Sequence, residues 1–191
     1  MQKTYIEDKT FTNEKFTESS FQRAEYENCT FNNCNFTSIN LSQANFTECS
    51  FNTCDLSNVK LIKTAFNDVK FKECKLLGLH FDECNQFLFT VYFEKCTLNL
   101  SSFYKLKLKK TQFNNNILHD VDFTESDLSE AVFDNCDLKS AIFINSILVK
   151  TDFSSAFNYS IDLDDNRIKK TKFSMSGIAG LLDKYDILIK N

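Results

Sequence analysis

Residues 29–46 read CTFNNCNFTSINLSQANF, and residues 121–143 read VDFTESDLSEAVFDNCDLKSAIF. Both stretches place a large apolar residue at every fifth position, usually with a small residue two positions before it. Neither the 3.6-residue period of an α-helix nor the two-residue period of a β-strand produces this pattern. The repeat therefore predicts that each five-residue unit points one large and one small side chain inward and exposes the other three.

This period extends over almost the whole chain. It runs from residue 11 to residue 81, skips two residues, resumes at Leu88 and continues to residue 178. Only Asn158, which lies beside Phe157, departs from a large apolar residue at these centres. The chain has 21 Phe but three Gly and no Pro. One residue type this dominant indicates one structural position that is used repeatedly.

The quoted segments resemble the A(D/N)LXX pattern of pentapeptide-repeat proteins, over about residues 9–175. The resemblance implies an all-β solenoid, a right-handed quadrilateral parallel β-helix of about eight coils with four pentapeptides in each. Sorting the centres by twenty, so that centres 20 residues apart share a face, agrees with this architecture, because one face then carries only Phe. Its structural core residues are Phe31, Phe51, Phe71, Phe93, Phe113, Phe133 and Phe153, with Phe11 and Phe173 at the ends. Coils stacked about 4.8 Å apart would bring these rings into register.

We divide the chain into a β-helix at residues 1–175 and a C-terminal module at residues 176–191. The β-helix contains a small bulge near residues 82–88, which is either a short projecting loop for a partner or a tolerated insertion. In the C-terminal module, apolar residues recur at helical spacing after Ser176, a suitable N-cap, and then alternate as in a short strand. This module either caps the open end of the solenoid and also pairs with a second copy, or only caps it. The dimer-interface candidates are Ile178, Leu181, Leu182, Tyr185, Ile187 and Ile189.

The C-terminus and three internal segments narrow the resemblance. Residues 71–81 (FKECKLLGLHF), 103–113 (FYKLKLKKTQF) and 161–173 (IDLDDNRIKKTKF) are similar to the Qnr-type quinolone-resistance and microcin-immunity branch. The resemblance implies a homodimeric rod that mimics DNA and binds DNA gyrase or topoisomerase IV, modulating it or protecting it from toxins. The long projecting loops of some Qnr-type proteins are missing from this sequence.

Charge is unevenly distributed along the chain, although the net charge is only −4. Residues 119–165 contain eleven acids and two lysines, whereas residues 88–118 and 166–191 each carry a net charge of +4. The acids fall in outward positions on all four faces, so they form a band and not the line of charge that DNA presents. This band is either a partner-binding surface or a solvated surface. The candidates for partner binding are Asp120, Asp122, Glu125, Asp127, Glu130, Asp134 and Asp137.

The sequence contains no pattern typical of catalysis or of a cofactor site. Seven of the eight cysteines occupy the small inward position, where Cys acts as an apolar filler and not as a metal ligand or disulfide partner. His80 and His119 lie in outward positions far apart, and three glycines cannot build a phosphate-binding loop. We predict a non-enzymatic, cytoplasmic binding protein with no cofactor, no direct contact with nucleic acid and no contact with membranes. The alternative is a protein-interaction scaffold of the same fold with an unrelated partner.

Overall fold

The chain winds as a right-handed parallel β-solenoid of about eight coils, which confirms the predicted fold. The computed structural model describes residues 4–188. Its strands are β1 (Tyr5–Glu7), β2 (Thr10–Thr12), β3 (Glu25–Glu27), β4 (Thr30–Asn32), β5 (Asn45–Thr47), β6 (Ser50–Asn52), β7 (Ala65–Asn67), β8 (Val69–Lys72), β9 (Val91–Glu94), β10 (Gln112–Asn114), β11 (Val132–Asp134), β12 (Asp152–Phe153) and β13 (Lys172–Phe173). Short 3-10 helices span Phe81–Glu83, Met175–Leu181 and Asp183–Tyr185. Within residues 4–188, none of the helices is long and apolar enough to cross a membrane.

Two of the four sides of the solenoid carry parallel sheets, and the other two carry isolated parallel bridges. One sheet has the order β1-β3-β5-β7, and the nine-stranded sheet runs from β2 to β13 through β4, β6 and β8 to β12. Strand partners are 20 residues apart, as in Phe11 opposite Phe31. Across the two-residue insertion the spacing becomes 22, as in Phe71 opposite Phe93. The insertion therefore leaves the side on which each repeat lies unchanged.

Stacked phenylalanine rings fill the interior. In the column on the nine-stranded sheet, the Phe31 and Phe51 ring centroids are 4.7 Å apart, and those of Phe113 and Phe133 are also 4.7 Å apart with parallel planes. Rings of adjacent columns meet edge to face, as Phe113 and Phe123 do at 86°. Both geometries suit the quadrupole of the aromatic ring, so the Phe columns contribute more than their buried area alone. The seven Phe residues named as structural core are each 0–1% exposed.

The corner after most inward Phe and Leu residues has a left-handed backbone. At these corners the residue two positions after the centre has a positive φ, for example 51° at Asn33 and 61° at Leu100. Asn and Asp tolerate this conformation better than other residues with a Cβ, which explains why they are frequent at this position. A carboxylate or amide just before the centre caps many of these turns, as where Asp55 Oδ1 accepts a hydrogen bond from the Ser57 amide at 3.0 Å.

The small inward position has a second role that its apolar character does not reveal. Cys54 Sγ donates to the Phe31 carbonyl at 3.3 Å, and Cys74 Sγ donates to the Phe51 carbonyl at 3.2 Å. Thr64 makes the same bond to the Leu41 carbonyl at 2.8 Å. These side chains are therefore donors to the preceding coil as well as fillers, which accounts for the alternation of Cys, Ser and Thr at this position.

At the bulge the structure corrects the predicted inward residue. Leu88 is 59% exposed with φ 58°, because it occupies the left-handed corner and not the centre. Phe89 instead packs against the core, with its ring 6.4 Å from that of Phe66. The regular register places Gln86 at the centre, where its polar amide is unsuited to the core. With the two extra residues, Phe89 occupies the inward position that Gln86 would otherwise take.

A similar replacement occurs near Asn158. Neither Asn158 nor Phe157 lies in the core, since Asn158 is exposed with φ 59° and Phe157 is 44% exposed. Tyr159 points inward, is 4% exposed and contacts the rings of Phe153 and Phe173. Tyr159, one position after the predicted centre Asn158, therefore closes the last coil.

The C-terminal module also differs from the prediction. Its helical segments are of the 3-10 type, and the N-cap is Ser174, whose hydroxyl accepts a hydrogen bond from the Gly177 amide at 3.1 Å, instead of Ser176. Gly177 and Gly180 explain the difference, because a Cβ at either position would lie 1.9 Å from an atom of Tyr159. The helix can approach the last coil this closely only with glycine, which disfavours an α-helix. Ile187 and Leu188 form no strand within the described residues, and Ile189 lies outside them. The boundary between residues 175 and 176 stays a prediction.

Candidate functional site

The seven acids predicted as a partner-binding surface lie on two successive coils. We call them the acidic surface: Asp120, Asp122, Glu125, Asp127, Glu130, Asp134 and Asp137. Three of them precede an inward residue and cap a turn. The Asp122, Asp127 and Asp137 carboxylates accept hydrogen bonds from the backbone amides of Thr124, Ser129 and Lys139 at 2.8, 3.1 and 3.2 Å. Their first role is thus to hold the corners of the solenoid.

Three acids of the acidic surface are paired with lysines on the neighbouring coil, and a fourth contacts a histidine. Glu125 pairs with Lys105 at 3.4 Å, and Glu130 pairs with Lys150 at the same distance. The register of 20 residues produces these pairs, because it places side chain i directly beside side chain i+20. Lys109 lies 3.2 Å from Asp127, and His119 Nε2 lies 2.8 Å from Asp137. The negative potential of the surface is therefore weaker than its residue count indicates.

Two of these carboxyl groups have a lowered pKa. Partial burial would raise the pKa of Asp137, but hydrogen bonds from His119, from Asn158 and from the Lys139 amide outweigh it and lower the pKa. Burial likewise opposes the hydrogen bonds that Asp127 receives from Ser129 and Lys109, and the net effect is again a lowered pKa. Both groups are therefore held ionised by their own chain.

Three acids have no cationic partner within residues 4–188, and of these Asp122 is half-buried whereas Asp120 and Asp134 are exposed. Asp134 accepts a hydrogen bond from the Ser155 hydroxyl at 2.8 Å but has no cationic partner within residues 4–188. Asp120 is exposed and makes no side-chain hydrogen bond or ion pair among the residues that the structure describes. Sequence reasoning ranked all seven acids equally, since only the apolar centres were sorted by twenty. The same sorting of the outward positions would have shown which acids face a lysine.

The predicted dimer-interface residues divide between capping and exposure. Leu181 packs against the core and covers the end of the last coil. Leu182 is half-buried, whereas Ile178, Tyr185 and Ile187 are 38%, 57% and 54% exposed. The side chain of Lys184 forms ion pairs with Asp162, at 2.7 Å, and Asp164, which tie the segment to the preceding loop. The segment caps the last coil and leaves Ile178, Tyr185 and Ile187 exposed, and we call these three residues the exposed fringe.

A further apolar patch lies on the seventh coil, and sequence reasoning missed it. Ile142 and Ile144 are 42% and 45% exposed, and Ile147 and Val149 continue around the next corner half-buried. They replace the Asp, Thr and Ser residues that hold the same outward positions one coil earlier. An aliphatic cluster at outward positions of an otherwise polar rod is typical of a protein-contact surface.

The cysteine thiols of the described residues belong to the core. All eight thiols are buried and free, and burial raises the pKa of Cys49 and Cys136 to about 12. Within residues 4–188 no group of three His, Cys, Asp or Glu residues could hold a metal ion. A cleft of about 270 Å³ on the nine-stranded sheet is lined by outward side chains, among them Lys70, Tyr92 and Gln112.

Comparison with known sequences decides the family. The pattern described as "Pentapeptide repeat region" matches residues 44–118, and "Pentapeptide repeats (8 copies)" matches residues 15–52 and 117–154. The chain belongs to the pentapeptide-repeat family. No curated protein matches it. Proteins of this family are in general structural or binding proteins and not enzymes, so the family supports a protein-interaction role.

Solved structures of two pentapeptide-repeat proteins resemble the chain at low sequence identity. One is HetL, involved in heterocyst differentiation regulation in the cyanobacterium Nostoc sp. strain PCC 7120, with 14% identity, a TM-score of 0.56 and coverage of 90% of this chain and 87% of HetL. The other is QnrB1, a plasmid-mediated fluoroquinolone resistance protein, with 19% identity, a TM-score of 0.48 and coverage of 97% and 99%. The likeness to HetL shows the fold and leaves the partner open.

Proposed function

We propose that this protein is a non-enzymatic binding protein that contacts a type II DNA topoisomerase, DNA gyrase or topoisomerase IV, and modulates it or protects it from toxins. The filled interior is the observation that supports a binding role. The inward positions are occupied by stacked Phe and Leu side chains, so a partner can be recognised only on the outer faces. The topoisomerase is inferred from the sequence resemblance of the C-terminus and the three internal segments.

Within the acidic surface, the contact is assigned to the exposed acids that have no cationic partner among residues 4–188. Asp120 and Asp134 have no cationic partner within residues 4–188, whereas Glu125 and Glu130 are paired with lysines. A basic, DNA-binding surface of the partner gains more from an unpaired carboxylate, because it need not displace a lysine first. This predicts a short acidic contact instead of DNA mimicry along the whole rod.

A binding measurement with purified gyrase tests this function. We expect submicromolar binding that weakens with salt and is competed by DNA. Asp120→Asn with Asp134→Asn should weaken binding about tenfold, equivalent to about 1.4 kcal/mol. The matched control, Glu125→Gln with Glu130→Gln, removes the same charge from paired positions and should have a smaller effect. Equal effects of the two double variants would contradict the assigned contact, and no binding to either topoisomerase would exclude the function.

A protein-interaction scaffold with an unrelated partner is the second candidate, and the aliphatic cluster on the seventh coil favours it. Ile142 and Ile144 suit an apolar protein surface, which a mimic of a polyanion would not need. If Ile142→Ser with Ile144→Ser abolishes binding to a partner while the acid variants do not, the scaffold is the better description.

The resemblance also leads us to propose a homodimer through the exposed fringe of the C-terminal segment, and we propose separately a cytoplasmic location. Ile178, Tyr185 and Ile187 would supply the contact, and Leu181 would remain a cap. Ile178→Asp with Ile187→Asp should give a monomer in equilibrium sedimentation, while the melting temperature stays close to that of the unmodified protein.

A further inference from the structure

The cleft on the nine-stranded sheet lies between two columns of outward side chains. On each strand two outward residues flank the inward phenylalanine, as Lys70 and Lys72 flank Phe71 on β8. The two columns are roughly 7 Å apart, because each residue of a strand adds about 3.3 Å. Carbon atoms in contact are about 3.5 Å apart, so one flat ring between the columns touches both of them. A puckered ring is thicker and fits this space less well.

The walls of the cleft are tall only on β8 and β9. Strands β2 and β4 carry Thr and Asn at the outward positions, and these side chains are too short to enclose a ligand. On β8 and β9 one column is Lys70 beside Tyr92, and the other is Lys72 beside Glu94. An ion pair of 3.3 Å joins Lys72 to Glu94 across two coils. The cleft therefore has one neutral wall and one wall that carries an aromatic ring and a charge.

Lys70 gives the cleft a net positive charge. It forms no ion pair within residues 4–188, whereas the neighbouring Lys72 is neutralised by Glu94. Tyr92 is 38% exposed beside Lys70, and among the same residues its side chain has no hydrogen-bonding or aromatic partner. An unpaired cation beside an exposed aromatic ring suits a ligand that is both aromatic and anionic.

The backbone floor of the cleft is already hydrogen-bonded. Its amides and carbonyls join one coil to the next, as where the Lys70 amide donates to the Cys49 carbonyl at 3.0 Å. A ligand is therefore held by the faces of its ring and by side chains at its edges. The amides of Gln112 and Asn114 supply such edge groups, because neither side chain forms a hydrogen bond within residues 4–188.

The position of these amides sets the length of the ligand. Gln112 lies two coils from Lys70, which is roughly 10 Å along the rod at about 4.8 Å for each coil. A carboxylate bonded to Lys70 and a hydroxyl bonded to Gln112, each over about 3 Å, leave room for one aromatic ring between them. The cleft volume of about 270 Å³ lies just below the roughly 300 Å³ at which drug-sized sites begin, which agrees with a single ring.

We propose that this cleft binds a small aromatic carboxylate. The flat ring lies between the two columns and stacks on Tyr92, the carboxylate pairs with Lys70, and a hydrogen-bonding substituent at the opposite end meets Gln112 and Asn114. A ligand of this size in an open cleft binds weakly, with a Kd on the order of 1 mM. The site does not depend on the identity of any protein partner.

Matched probes test the proposal. The first is para-hydroxybenzoate, and the others are para-hydroxybenzamide, which lacks the charge, benzoate, which lacks the hydroxyl, and 4-hydroxycyclohexanecarboxylate, which has a puckered ring. In an NMR titration, para-hydroxybenzoate should shift the backbone amides of β8 and β9 and the side-chain amides of Gln112 and Asn114. Each of the other probes should bind about fivefold more weakly.

Two variants separate recognition of the ring from recognition of the charge. Tyr92→Val and Lys70→Thr introduce residues that already hold the same outward position, Val132 on β11 and Thr30 on β4. Tyr92→Val should weaken the binding of para-hydroxybenzoate and of para-hydroxybenzamide alike, by about tenfold. Lys70→Thr should weaken the binding of the carboxylate to a similar degree and leave that of the amide unchanged.

A control variant on another side of the solenoid completes the experiment. Tyr104→Val with Lys60→Thr changes the same two residue types there and should leave the affinity unchanged. Unshifted amides on β8 and β9 at about 20 mM para-hydroxybenzoate would overturn the proposal. So would equal affinity for the flat and the puckered probe, or an unaltered affinity in Tyr92→Val.

Discussion

At the scale of single residues, each pentapeptide position has a separate physical requirement. The centre needs a large apolar side chain, and the position two before it needs a small donor, such as Cys74 for the Phe51 carbonyl at 3.2 Å. The position two after the centre needs a residue that tolerates positive φ. Sequence reasoning identified the first two positions from their composition. It missed the third, because Asn, Lys, Glu and Leu all occur there and share only their backbone conformation.

The stacked rings are expected to dominate stability. Phe113→Ala removes a fully buried ring that lies between Phe93, at 5.5 Å, and Phe133, at 4.7 Å. The free energy of unfolding should fall by about 3–5 kcal/mol, measured by guanidinium denaturation. Phe87→Ala is the matched control, because Phe87 is 76% exposed and its loss should change the stability of the monomer little. Similar losses for both variants would contradict the described core.

Backbone strain at one corner can be relieved. Leu100 is 67% exposed and holds φ 61°, where a bulky side chain is disfavoured. Leu100→Asn should therefore raise the free energy of unfolding by about 1 kcal/mol. Leu100→Val, with a β-branched side chain, should lower it instead. The same denaturation measurement would contradict this reasoning if the two substitutions had the same sign.

The capping carboxylates predict how stability depends on acid. The pKa values of Asp127, Asp137 and Asp152 are lowered in the folded protein, because hydrogen bonds to the carboxylate outweigh the effect of burial. Their stabilisation is complete above the unfolded pKa of about 3.9 and is lost as the pH falls through the lower folded values. Replacing all three by Asn should make the decline of stability below pH ~4 shallower. Asp120→Asn, which removes no carboxylate hydrogen bond among the described residues, should keep the decline steep.

At the scale of elements, the strands and the final helix differ in how far the sequence predicts them. The strands follow from stacking, since sorting the centres by twenty places Phe11, Phe31 and Phe51 in one column before any coordinates are known. The register of the bulge does not follow, because Leu88 and Phe89 are both apolar and only the corner geometry decides which points inward. The 3-10 form of the C-terminal segment depends on the approach of Gly177 and Gly180 to Tyr159, a contact between distant residues.

The glycine contact can be tested directly. In Gly180→Ala the new Cβ would lie 1.9 Å from the Tyr159 carbonyl oxygen, so the segment must move away from the last coil. The Ile161 amide, which donates to the Gly180 carbonyl at 3.0 Å, should then exchange with deuterium faster. Ala179→Gly serves as the control and should leave exchange at Ile161 unchanged. Unaltered exchange in Gly180→Ala would show that the cap does not depend on this contact.

At the scale of the whole molecule, the outer surface is organised by the same 20-residue register as the core. Where a lysine stacks on an acid, as Lys105 does on Glu125, the surface is neutral. Where aliphatic residues take the outward positions, as Ile142 and Ile144 do, the surface is apolar. The sequence predicted the acidic surface from a count of charges. It did not predict the aliphatic cluster on the seventh coil, because only the apolar centres, and not the outward positions, were sorted by twenty.

The constant spacing between strand partners also bears on how the chain reaches this shape. A residue on one coil finds its partner 20 residues away, or 22 across the insertion, wherever it lies in the sequence. Each pairing therefore closes a short loop of the same entropic cost, and the relative contact order is roughly 0.1, within the range of fast-folding helical proteins. Every coil needs only the one before it as a template, so the rod can grow from its first turns while the rest of the polypeptide is still being synthesised.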